Sequence, residues 1–140
     1  MRRKAREYAL QVLYALDLNP AAPDDFLKIF WEIHTTKPEI VDYANSLIYG
    51  TIQKKKEIDQ LISAHSSHWK IDRMAVTDRN ILRMATYELL DEESVPAKVV
   101  INEAIEIAKK FGTSDSATFI NGVLDSIHQE LADRESQHVS

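Results

Sequence analysis

Apolar residues recur along this chain at intervals of three and four, the repeat that gathers side chains onto one face of an α-helix. The pattern is clearest in residues 95–127, VPAKVVINEAIEIAKKFGTSDSATFINGVLDSI, around which the rest of the chain is expected to be organised. Pro96 suits a first helical turn, where its missing amide would have had no intrahelical partner, and Gly112 suits an end. Between them Ala97, Ile101, Ala104, Ile105 and Ala108 predict one apolar stripe over about 96–111. Thr113, Ser114 and Asp115 are all capable N-caps for a second helix, with Ile120, Val123, Leu124, Ile127 and Leu131 on its inner face. Helices joined by so short a link must lie against each other.

The same periodicity predicts the remaining elements. A first helix over about 3–18 has a core stripe of Ala5, Ala9, Val12, Leu13 and Leu16, while Arg3, Glu7, Leu10 and Tyr14 fall on the opposite face. After the turn Asn19 to Pro23, Pro23, Asp24 and Asp25 open a helix carrying Phe26, Leu27, Phe30 and Ile33, with Trp31 adding bulk. Thr36-Lys37-Pro38-Glu39 fits a capping box. A long stripe through Ile40, Ala44, Leu47, Ile48, Thr51, Ile58, Leu61 and Ile62 predicts either one helix over about 38–65 or two with a bend near Gly50. Trp69 is expected to anchor the following linker. Residues 77–90 form a further helix, with Thr77 as N-cap, Asp78 in its first turn and Ile81, Leu82, Ala85 and Leu89 inward. Glu88 points to that inner face, so it must be paired or must cap another element. The predicted fold is all-α, a compact bundle of six to seven helices in one domain over 1–132, with a frayed polar tail at 133–140.

Composition removes several function classes. At 140 residues the chain is long enough to bury a core without staples. It has no cysteine, which excludes disulfide and thiol chemistry and fits a reducing cytoplasmic setting. No apolar run approaches the ~18 residues of a membrane span. The three glycines, at 50, 112 and 122, are too scattered for a phosphate loop. No nucleophile-base pair or metal-ligand cluster is apparent; His65 and His68 are three apart but lack a third ligand, and read as exposed residues near a helix end. Glu103 and Glu106 are explained by solvent exposure, Glu106 standing four before Lys110 for an ion pair. No enzyme, cofactor or metal is expected.

Charge is more informative than its total. Residues 1–6 carry +4 from Arg2, Arg3, Lys4 and Arg6, against a net −5 for the chain, so the remaining 134 residues carry −9. An acidic body repels bulk polyanion, and nucleic acid would have to bind locally, oriented by the basic tip. Lys54, Lys55 and Lys56 either extend that surface or form a solvated face. On the last helix Asp115, Phe119, Gly122 and Ser126 share a flank outside the apolar stripe. Phe119 there is either a core residue, with Gly122 letting a neighbouring helix approach, or a platform on which an unpaired base stacks beside a carboxylate. Tyr14 with Arg3 poses the same choice: helix 1 is buried on two sides, or it offers a ring and a guanidinium to RNA.

The blocks RRKAREYALQVLYALD, DRNILRMATYELL and, most specifically, the 95–127 segment resemble the bacterial transcription antitermination factors of the NusB family, over nearly the whole chain from Arg2 to Leu131. The resemblance implies two small perpendicular helical bundles and a non-enzymatic protein. It implies binding of single-stranded boxA leader RNA together with NusE, a ribosomal protein of the small subunit, so that RNA polymerase resists termination in ribosomal RNA operons. It assigns RNA contacts to Arg2, Arg3, Lys4, Arg6, Asp115 and Phe119, with Tyr14 near the RNA surface, and points to Asp78 for NusE. It leaves a homodimer paired through the RNA face open. Residues 66–75 match less well. Two other classes stand beside it. One is the helical domain that precedes the catalytic domain of some RNA methyltransferases, although this chain ends where that domain would begin. The other is a protein-interaction adaptor, which would need no basic tip.

Overall fold

The computed structural model describes residues 2–67, 69–91 and 95–139, the last two by backbone alone. Among them are seven α-helices: α1 (Arg2–Leu18), α2 (Pro23–Ile33), α3 (Pro38–Gln53), α4 (Lys55–His65), α5 (Val76–Leu90), α6 (Ala97–Phe111) and α7 (Ser116–Val139), with a single 3₁₀ turn at Ile71–Arg73 before α5. His68 and the loop residues 92–94 lie outside the described residues.

The organising element is α5 rather than the 95–127 hairpin. Every residue from Asn80 to Thr86 is buried, which is what a helix covered on all sides requires. One group of helices, α1 and α3, packs on α5 from one side, and the α6–α7 hairpin packs from the other, with α4 joining α5 to α7. Ile81, Leu82, Met84 and Ala85 of α5 meet Ala9, Val12 and Leu13 of α1, Leu47 and Ile48 of α3, and Ile120, Leu124 and Ile127 of α7 in one continuous core. The α2 helix joins through Leu27 and Phe30 and through edge contacts of Tyr8 with Phe30 (6.0 Å) and Trp31 (5.4 Å). Ile33, expected inside, is exposed. Trp31 is half-buried, its indole N–H donating to Asn45 Oδ1 at 2.9 Å.

Several local expectations change. The helix over 38–65 is two helices, but the break is at Lys54, which has φ −102° and ψ 16°. Gly50 continues through α3 for a different reason: a Cβ there would stand 2.1 Å from the ring of Tyr87, so glycine permits the α3–α5 approach. The capping box does not form, because the N-cap is Lys37, with Pro38 in the first helical position and no side-chain cap. Likewise Ala75, not Thr77, precedes α5. On α6 the inner face is rotated to Val100, Ile101, Ala104, Ile107 and Ala108, leaving Ala97 and Ile105 half-buried. Gly112 is required by crowding and not by a left-handed helix end, since a Cβ would meet Ser116 Oγ at 2.4 Å while its φ of −96° is open to any residue. Ser116 is itself buried, and its hydroxyl accepts the Thr113 amide at 2.9 Å. The tail expected to fray beyond Leu131 continues as α7 to Val139, with exposed side chains from Asp133 to Gln137.

Buried polar groups lock the helices in register. Asp17 near the end of α1 accepts from Arg79 Nε at 2.7 Å, Asn80 Nδ2 at 2.8 Å and Arg83 Nη1 at 3.2 Å, and Arg83 Nε also reaches Asp59 of α4 at 2.9 Å. Burial would raise the Asp17 pKa, but the Arg79 and Asn80 hydrogen bonds and the arginine charges outweigh it and hold the carboxyl below its ordinary value. His65, expected to be exposed, ties α4 to α7 through Ser126 Oγ (2.6 Å) and Glu130 (2.9 Å).

Candidate nucleic-acid interface

The four cations of the basic tip do not share one fate. A helix starting at Arg2 turns its residues by about 100° each, so Arg6 faces α5 while Arg2, Arg3 and Lys4 face outward. Arg6 is only 3% exposed; it donates through Nε and Nη2 to Glu88 at 2.6 and 2.9 Å. Tyr43 completes the cluster by donating its hydroxyl to Glu88 at 2.8 Å. Burial acts against the Arg6 charge, but the hydrogen bonds and charge of Glu88 outweigh it and raise the guanidinium pKa. Burial and the Glu88 hydrogen bond push the Tyr43 phenol up to about 12. The partner required for Glu88 is therefore Arg6, and Arg6 is withdrawn from the phosphate contacts expected of it, because a guanidinium enclosed by carboxylate and phenol cannot reach solvent.

The outward cations are modulated too. Arg3 donates from Nε to Glu103 Oε2 of α6 at 2.8 Å, and its Nη2 pairs with the same oxygen at 2.8 Å. Glu103 also lies 3.8 Å from Arg6, so solvent exposure alone does not account for it. The Arg2 guanidinium lies 5.1 Å from the Tyr43 ring centre and the Lys4 ammonium 4.9 Å from that of Tyr8. Farther along, Lys110 reaches Glu7 of α1 at 3.0 Å, while Glu106 pairs with Lys109 instead, at 3.3 Å. Moving from Arg3 to Glu7 along α1 thus matches moving from Glu103 to Lys110 along α6. The basic start of α1 lies beside the middle of α6, and Lys110 and the exposed ring of Phe111 stand between it and the 113–119 junction. Leu10 and Glu7 are buried, so α1 is covered on two sides, yet Tyr14 stays 38% exposed. Lys54, Lys55 and Lys56 are all exposed at the α3–α4 break.

The junction residues sit on a cleft of about 250 Å³. Phe119 and Asp115 from the start of α7, Asp78 from the first turn of α5, and Trp69, Arg73 and Met74 from the connection before α5 line it. Phe119 is half-buried: it packs against the core and also borders the cleft, so the two readings of this residue describe two sides of one ring. Gly122 has nothing within 4 Å of a Cβ built on it, which removes its expected role in helix approach. Asp115 is exposed, whereas Asp78 Oδ1 is buried with no hydrogen-bond partner among the described residues. The Asp115 carboxylate therefore offers acceptor capacity at the cleft, whereas Asp78 Oδ1 is shielded from solvent. Asp78, assigned to a separate surface, is brought together with Asp115 and Phe119.

This architecture matches one family along nearly its whole length. The NusB family profile covers residues 3–129. The chain belongs to the NusB family. Among curated relatives, the transcription antitermination protein NusB of Anaeromyxobacter dehalogenans strain 2CP-1 is 47% identical over 131 residues, covering 93% of this chain and 92% of that protein. The Bacillus velezensis NusB is 43% identical, covering 93% and 97%. A T. maritima NusB structure superposes with a TM-score of 0.84 at 38% identity, over 93% of this chain and 92% of that one. A chain of the crystal structure of antitermination factors NusB and NusE in complex with double-stranded RNA gives 0.84 at 31%, over 92% and 96%.

Within this NusB-family chain, Trp69, Arg73 and Lys110 were not legible as site residues. Trp69 is expected to anchor the linker, and its indole is 57% exposed. The sequence signal that could have found it is the absence of a matching apolar stripe in residues 66–75 for the indole to join.

Proposed function

We propose that this protein is a non-enzymatic, cytoplasmic antitermination factor. It binds single-stranded boxA-type leader RNA together with NusE, so that RNA polymerase reads through terminators in ribosomal RNA operons. The observation that carries this reading is the likeness over more than nine-tenths of the chain to a component of a NusB–NusE–RNA complex. The geometry supports it in two places. Arg2, Arg3 and Lys4 form an outward cationic edge on an acidic protein, and Phe119 presents an aromatic border beside Asp115. The related complex holds double-stranded RNA; our preference for a single strand rests on Phe119, because a side-chain ring stacks on a base only when that base is free of its own stack. Asp78 is assigned to NusE as an acidic contact for a basic ribosomal protein, and its position in the cleft beside Asp115 and Phe119 supports partners that bind on adjacent surfaces. Binding of each is then coupled to the other by the same factor.

The test is titration of the full-length protein with a boxA-type oligonucleotide, its scrambled counterpart and a duplex of the same sequence, with and without NusE. Tighter binding of the single-stranded boxA sequence, strengthened by NusE, is expected. Equal affinity for all three RNAs would overturn sequence-specific recognition. An RNA affinity left unchanged by saturating NusE would overturn the coupling.

A further inference from the structure

We propose that Trp69 is the second aromatic wall of the cleft. It stacks on one unpaired base, which Phe119 also borders and whose amino group donates to Asp115. This inference rests on the RNA-binding reading and adds to it a base-binding residue and a base preference.

Three observations converge. The indole is 57% exposed. Ser66 Oγ donates to the Trp69 carbonyl at 2.9 Å, the Trp69 amide donates to the Ser66 carbonyl at 3.0 Å, and Ser67 takes a left-handed φ of 38° within the same turn. A serine in that conformation is strained relative to glycine, and the Ser66 hydrogen bonds tie down the backbone from which the indole projects. The cleft that Trp69 shares with Phe119 is about 250 Å³, less than the roughly 300–1,000 Å³ of pockets that enclose a whole drug-sized ligand, and suits a single planar group. Finally, its polar lining includes an exposed acceptor, the Asp115 carboxylate, beside the Arg73 guanidinium.

The Asp115 carboxylate repels phosphate and accepts from exocyclic amino groups, so the cleft takes a base and leaves the strand's backbone outside, where Arg73 lines the same site. Adenine, cytosine and guanine carry such an amino group, whereas uracil does not. A lysine or arginine from a protein partner would also suit a carboxylate and a ring, but Arg73 opposes a cationic side chain and favours a ligand with an anionic backbone.

The experiment uses the full chain and a boxA-type RNA oligonucleotide. Trp69→Ala is expected to weaken RNA binding about 5- to 100-fold, the range for loss of one base–aromatic stack, and Trp69→Phe to recover most of that loss. Tryptophan emission should be quenched on RNA binding in the unsubstituted protein but not in Trp69→Phe, whose remaining indole is Trp31. A scan of abasic substitutions should find one position whose loss is large in the unsubstituted protein and absent in Trp69→Ala. Replacing that base by uracil should cost more than exchange among the amino-bearing bases. If the unsubstituted protein binds RNA and Trp69→Ala binds it equally well, the stacking role is overturned while the RNA-binding reading stands. If Trp69→Ala keeps RNA but loses NusE, the cleft belongs to the protein partner and the proposal fails. If the unsubstituted protein binds no RNA, both readings fail together.

Discussion

Arg6 and Glu88 form a buried ion pair, 3% and 5% exposed, that joins the start of α1 to the far end of α5. It removes one of the four cations from a stretch that reads as a uniform basic patch. Removing one partner leaves the other charge without compensation in a low-dielectric site, which costs about 3–5 kcal/mol. Glu88→Ala and Arg6→Ala are each expected to lower stability by that order in denaturant titrations. The double substitution should cost less than the sum of the two singles, and strict additivity would show that the pair does not act as a unit.

The exposed tip should act electrostatically. Three phosphate contacts from Arg2, Arg3 and Lys4 predict a slope of log affinity against log salt of about −2 for a single strand. Replacing all three by alanine should bring that slope close to zero with unchanged helicity. Glu103 competes with phosphate for Arg3, so Glu103→Gln should tighten RNA binding by about two- to fivefold, the scale of a partly exposed ion pair. Weaker binding in that variant would mean that Glu103 instead holds Arg3 in place for RNA.

Asp17 gives the fold an acid-sensitive joint. Its pKa lies below the ordinary 3.8 because hydrogen bonds from Arg79 and Asn80 and the arginine charges outweigh burial. The unfolded chain therefore binds this proton at higher pH than the folded chain does. The stabilisation is present above the unfolded value and is lost as pH falls through the folded one. Thermal unfolding should show the difference between unsubstituted protein and Asp17→Asn constant near neutrality and shrinking below about pH 4. A difference that persists unchanged at pH 2 would assign the contribution of Asp17 to packing.

The helices were legible because burial of one face leaves a 3.6-residue trace, and the need of Glu88 for a partner was legible because a carboxylate on an apolar face is costly. The partner was not, since Arg6 lies far from it in sequence and only tertiary packing brings them together. The stripe of α6 was misplaced because Val100 and Ile107 lie beside the residues chosen, and a helix covered on more than one side does not mark a single centre. Phe119 was recognised as ambiguous, and the structure shows why: its ring both packs on the core and borders the cleft. The cleft itself was hidden, because it gathers Trp69, Asp78 and Asp115 from three separate segments.

Gly122 isolates function from folding. It lies inside α7, is exposed, and has no atom within 4 Å of a Cβ built on it, so nothing in the fold excludes a larger residue. Alanine in a helix interior is favoured over glycine by about 1 kcal/mol, and Gly122→Ala should raise the melting temperature by about 3 °C. One turn after Phe119 on the same flank, a bare backbone lets a bound strand approach more closely than any side chain would allow. The same substitution is therefore expected to weaken RNA binding while it strengthens the fold. Melting curves and RNA titrations on this one variant decide the matter: a more stable protein with unchanged RNA affinity places Gly122 outside the interface, and a less stable one shows that the α7 flank is more crowded than its open surface indicates.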